Sequence, residues 1–197
     1  MVSRFWILCA SSLIFFLAVS SAPTVQGQLF DVRNYGAGVD GRRNNALAFA
    51  KAWMEACQWS GGRSTVYVPP GIFDLPQVMF TGPCKNPVTF LIEGTLLAPR
   101  SPDAIKGDAW IIFKDVDYLT VTGGGLLDGQ GSYSWPHNDC DKNSSCRPLA
   151  INMGFMVVKH SKINVLHSLN SKMGHFKFYA VEDFNVTGVT VTAPGDI

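Results

Sequence analysis

Few side chains in this sequence could do chemistry, and their spacing limits what that chemistry would be. Asp115 and Asp117 come nearest to a carboxylate pair, the arrangement that general acid–base hydrolysis uses. Two apart on a strand that turns, they read instead as a solvated corner. Asp139 and Asp141 flank Cys140 but lack the D-x-[DN]-x-[DN]-G spacing of a calcium loop. His137, His160, His167 and His175 are scattered, and no serine or cysteine forms a recognisable nucleophile turn with any of them. His175, in Met173-Gly174-His175-Phe176 just ahead of a strand, is the one candidate for contacting a substrate; its other reading is a packing or hydrogen-bonding role. Gly123-Gly124-Gly125 has no helix or lysine behind it, so it reads as a strand corner rather than a phosphate loop. Paired CxxC or histidine spacing for zinc is missing, and neither a metal nor a cofactor is expected.

A formal net charge of +1 over 197 residues supplies no global field for nucleic acid or an anionic membrane, so an acidic ligand would have to meet a local cluster. Hydrophobic content of 47% against 16% charged fits a packed, strand-rich domain rather than a disordered chain. Arg4 followed by the apolar run from Phe5 to Val19 has the form of a secretory leader, too short to span a bilayer. Cleavage could follow Ala22 or Gly27. Gly27 is favoured, because Pro23 directly after a cut would constrain the backbone, which makes residues 1–27 leader and 28–197 the N-terminal part of the mature domain. After cleavage no membrane association is expected. Cys9 leaves with the leader, and Cys57, Cys84, Cys140 and Cys146 remain for two disulfides, with three connectivities open. Cys140 and Cys146 would close a short local loop; Cys57 with Cys84 would then tie the first helix to the first coil. Asn143 and Asn185 head N-glycosylation sequons, the first on a loop.

The elements that must position these residues show a repeat. Residues 155–171 align with those 21 further on, placing Ile163 on Phe184 and Val165 on Val186. A step of 65 places Phe113, Val116, Leu119 and Val121 on Phe178, Val181, Phe184 and Val186. Each copy is an apolar strand, a polar turn and an alternating β-branched strand, with no helical pattern between copies. Short strands recurring with a period of about twenty residues indicate a solenoid, here a parallel β-helix. One amphipathic helix is predicted over 45–59, capped by Asn44 or Asn45, stopped by Gly61-Gly62, with Leu47, Ala50, Met54 and Cys57 on its buried face. It would cover the open end of the first coil, with Phe49, Trp53 and Trp59 in the core. Gly129 to Pro148 is the one long irregular excursion.

Phe30-Asp31-Val32-Arg33-Asn34-Tyr35-Gly36-Ala37 resembles the opening of plant polygalacturonases, glycoside hydrolase family 28. The likeness continues in order through Val66-Tyr67-Val68-Pro69-Pro70-Gly71, Phe80-Thr81-Gly82-Pro83-Cys84 and Gly94-Thr95-Leu96-Leu97-Ala98-Pro99. It ends with Leu127-Asp128-Gly129-Gln130-Gly131, Asn170-Ser171-Lys172-Met173 and Ala193-Pro194-Gly195-Asp196. The resemblance implies a right-handed parallel β-helix, secretion to the cell wall, and inverting hydrolysis of the α-1,4 bonds of polygalacturonate in pectin.

Two departures qualify that expectation. Arg42-Arg43 stand ahead of the helix where the family carries acidic residues, and they oppose the helix dipole. The family's Asn-Thr-Asp, Asp-Asp, Gly-His-Gly and Arg-x-Lys motifs match no position here. By the order of the resemblance they would lie after Ile197, so it carries over no catalytic residue. The expected chain is therefore a β-helix truncated at its C-terminal end, inactive alone, monomeric or prone to aggregate at its last coil. The alternatives are a secreted glycan-binding module without catalysis and an incomplete gene product. A pectin-lyase-like enzyme would need acidic calcium ligands that the sequence does not show.

Overall fold

Strand-forming runs here are short because a turn signal interrupts each within a few residues, and each run finds its hydrogen-bonding partner one coil away. The computed structural model describes residues 27–39 and 45–194. The expected leader, apart from Gly27, and Arg42, Arg43 and Asn44 ahead of the helix lie outside the described residues. So do Gly195, Asp196 and Ile197, and with Ile197 the expectation that the catalytic motifs would follow it. In chain order the elements are β1 (Gln28–Asp31), α1 (Ala46–Gln58), β2 (Ser64–Val68), β3 (Ile72–Asp74) and β4 (Val78–Thr81). There follow β5 (Val88–Ile92), β6 (Thr95–Leu97), β7 (Ala109–Asp117), β8 (Leu119–Thr122) and β9 (Leu126–Asp128). The long strand β10 (Ile151–Leu169), β11 (Phe176–Tyr179) and β12 (Glu182–Thr192) complete the order.

All pairings among the described residues are parallel, and they stack into three faces. The first face holds β4, β7, residues 151–159 of β10, and β11. The second holds β1, β2, β5, β8 and the middle parts of β10 and β12. The third holds β3, β6, β9 and the ends of β10 and β12. The architecture is a parallel β-helix. Phe155 lies beside Phe178 and Ser161 beside Phe184, a step of 23 residues rather than the 21 read from the sequence. The step of 65 does relate true equivalents, but it spans two coils: Phe113 pairs with Phe155 and Phe155 with Phe178. Strand side chains alternate with a period of two, so offsets of 21 and 23 put the same residues on the same face, and the hydrophobic pattern cannot separate them.

Inside, Phe80, Phe113, Phe155 and Phe178 form a column with successive ring centroids 5.2, 5.6 and 5.4 Å apart. At the corners, single residues in the left-handed region redirect the chain, and they also stack. Asp115, Val157 and Ala180 form one column (φ 55°, 55° and 50°), and Tyr118, His160 and Asp183 another (57°, 48° and 49°). Asp115 thus sits at a corner, its side chain half-exposed beside Lys114.

Helix α1 covers the first coil, but with a different face from the one predicted. Ala48, Phe49, Ala52, Trp53, Ala56 and Cys57 are buried, whereas Leu47 is 63% and Met54 59% exposed. The alanines decide this: they allow close approach to the strands, and Trp53 fills the end of the core against Phe80 and Phe113. Trp59 lies at the rim, edge-on to Phe30 rather than in the core. The helix stops because Trp59 turns extended, ahead of Gly61-Gly62. Asn45 occupies the cap position without capping; its buried amide instead bonds Gly38 and the Asp74 carbonyl, joining the entry loop to the first coil. Cys57 is bonded to Cys84 and Cys140 to Cys146.

Candidate functional site

Alternation that sends the phenylalanines inward sends their neighbours outward, and on the first face these build the floor of a groove. Met79, Ile112, Gly154 and Lys177 make one outward column; Thr81, Lys114, Met156 and Tyr179 make the next. Gly154 opens the floor, since a Cβ there would lie 3.2 Å from that of Ala109. Ala109, Ile112, Ile151 and Met156 form a small apolar cluster beneath it, outside the main core.

Two loops wall this floor. Gln77 clamps the first by donating to the Lys106 and Ala109 carbonyls (2.7 and 2.8 Å) and accepting from the Lys106 N–H (2.8 Å). Arg147, at the end of the long excursion, donates from Nη2 to the Ile105 carbonyl (2.7 Å), joining the second wall to the first. The result is two connected hollows of about 360 and 510 Å³ that share Gly107, Asp108 and Lys177. Their charged lining is Lys106, Arg147, Lys177 and one carboxylate, Asp108, which forms an ion pair with Lys177.

Behind the groove lies a buried polar cluster. Asn152 Nδ2 donates to Ser168 Oγ (2.9 Å), and Ser168 Oγ lies 2.8 Å from His175 Nδ1. Burial holds His175 below its ordinary pKa. Lys172 is buried and donates to the Gly129 carbonyl; desolvation pushes its pKa down to about 8, with the Asp128 charge partly opposing that. Trp135 Nε1 donates to the Lys172 carbonyl (3.0 Å), which latches the root of the excursion to the turn that carries Met173 and Phe176 into the groove wall.

The sequence candidates and the groove therefore overlap little. His175 is half-buried and engaged by Ser168, with its neighbours Met173 and Phe176 lining the groove. Asp115 and Asp117 stand at a corner of the coil. Gly123 and Gly124 are corner residues (φ 120° and 70°), and a Cβ on Gly123 would meet the Ile92 carbonyl at 2.2 Å. Lys106, Asp108, Arg147 and Lys177 escaped sequence reasoning because they come from separate coils with no local motif. The one available signal was the outward parity of Lys177 within its strand.

The fold is a parallel β-helical solenoid whose first face carries a cation-rimmed groove over an apolar floor. Residues 57–196 match Glycosyl hydrolases family 28, and the chain belongs to that family. It is 44% identical over 170 residues to an exopolygalacturonase of Platanus acerifolia, an alignment covering 86% of this chain and 44% of that one. To a polygalacturonase of Prunus persica it is 38% identical over 191 residues, covering 96% of this chain and 48% of the relative. The chain thus spans less than half the length of these relatives. In fold it is similar to a hyperthermoactive exopolygalacturonase from Thermotoga maritima, with a TM-score of 0.71 at 16% identity over 88% of this chain and 49% of that one.

Proposed function

We propose that this chain is the substrate-binding part of a secreted pectin hydrolase and that its first-face groove receives polygalacturonate. The observation that carries this is the charge of the groove in a chain of this family: three cations on the rim against one carboxylate, itself paired with Lys177. A polymer with a carboxylate on each sugar is attracted by such a rim, and the apolar faces of its rings suit the Ile112 and Met156 floor. His175 supports the groove wall from behind. Inverting cleavage needs an acid and a base about 6.5–9.5 Å apart, and the described groove presents Asp108 alone, so binding without turnover is the proposed behaviour. Residues 1–27 serve as the leader and 28–197 as the N-terminal part of a β-helix domain delivered to the cell wall. Two disulfides fit an oxidising compartment, and the exposed Asn143, on the excursion, is its glycan acceptor.

Titration calorimetry with oligogalacturonides beside neutral galacto-oligosaccharides tests the reading. Selective, salt-sensitive binding of the acidic sugar is expected, weakened about tenfold by Arg147→Ala. Equal binding of the neutral sugar would overturn it, and release of reducing ends at the rate of a full-length relative would overturn the absence of turnover.

A further inference from the structure

A second hollow, of about 260 Å³, lies on the second face between two outward columns. The corner column carries Arg63, Pro87, Tyr118, His160 and Asp183, the residues just before the paired positions Ser64, Val88, Leu119, Ser161 and Phe184. The neighbouring column starts at the apolar Leu29 and is polar from there on: Thr65, Thr89, Thr120, Lys162 and Asn185. Tyr118 is 56% exposed and stacks on His160 with ring centroids 5.1 Å apart. His160 Nδ1 lies 3.0 Å from Asp183 Oδ2, which engages the one carboxylate in the hollow. Arg63 and Lys162 line the same hollow, and neither has a carboxylate partner among the described residues.

We propose that this trough is a second, non-catalytic binding site for an acidic polysaccharide lying along the stack of coils. These two cations face sugar carboxylates. Between them Thr89 and Thr120 place hydroxyls at the rung spacing of about 4.8 Å, comparable with the advance of one pyranose ring, with the Tyr118 hydroxyl alongside and the Asn185 amide one coil beyond Lys162. The identity of the polysaccharide as polygalacturonate rests on the reading of the first-face groove. An N-glycan on Asn185 would fill the trough, so sequon occupancy and this site exclude each other.

The test is calorimetry of the full chain, made without glycosylation, against a long oligogalacturonide. Two sites are expected. Arg63→Ala with Lys162→Ala should abolish one or weaken it at least about tenfold, while Arg63→Lys with Lys162→Arg retains it. Arg147→Ala with Lys177→Ala should remove the other site alone. Two undiminished sites in the Arg63 and Lys162 double variant, or a single site in the unaltered chain that disappears with Arg147 and Lys177, would overturn the proposal. Two sites surviving the loss of Arg147 and Lys177 would sink the groove reading instead and leave the trough standing. Glycosylated chain carrying a glycan on Asn185 should bind at one site; two sites in that form would also overturn it.

Discussion

Phe155 stacks on Phe113 with ring centroids 5.6 Å apart and planes inclined by 14°, although 42 residues of chain, including the whole excursion, separate them. Register between coils is held from inside: each phenylalanine sits on its equivalent one coil below, and Phe155 is fully buried between Phe113 and Phe178.

Phe155→Ala should therefore destabilise the fold by about 3–5 kcal/mol, the usual loss for deleting a buried ring. Urea denaturation followed by far-UV circular dichroism measures this. A loss below about 1 kcal/mol would mean that the column does not carry the core.

Val165 holds φ at 54° at a corner where its stacked neighbours on either side, Gly123 and Gly188, are glycines, also with positive φ. A β-branched residue is strained there, by about 1–2 kcal/mol. Val165→Gly should raise stability by about 0.5–1 kcal/mol, once the greater freedom of glycine in the unfolded chain is set against the relieved strain. A lowered denaturation midpoint would contradict the strain.

The two disulfides close loops of different size, with separations of 27 and 6 residues. On the chain-entropy relation, losing Cys57–Cys84 costs about 3.5 kcal/mol and losing Cys140–Cys146 about 2. Paired Cys→Ser variants compared by denaturation should preserve that order, and the reverse order would show that the excursion contributes more to the fold than α1 does.

Lys172 titrates near 8 in the fold and near the ordinary lysine value of 10.5 when unfolded. Between those values the unfolded chain holds a proton that the folded chain has released, so stability should rise with pH across that window. Below it both states are protonated and the burial penalty is fully present. Lys172→Met should flatten the rise, as read from melting temperatures at about pH 7.5, 9 and 10.5. An unchanged slope would assign it to other groups.

Sequence alone determined the class of fold, the place and extent of the helix, and the corner roles of Asp115 and Gly123. It could do so because alternation, turn residues and helical periodicity are local signals. Which helix face is buried was not local: Leu47 and Met54 stay exposed because Ala48, Ala52 and Ala56 let the helix approach the strands closely enough for Phe49 and Trp53 to enter the core. The coil step of 23 against 21 was equally beyond the pattern, since both keep the same parity and only stacked rings tell them apart. The groove belongs wholly to tertiary structure. Lys106, Asp108, Arg147 and Lys177 are ordinary surface residues until parallel pairing stacks their coils and brings their charges to one rim.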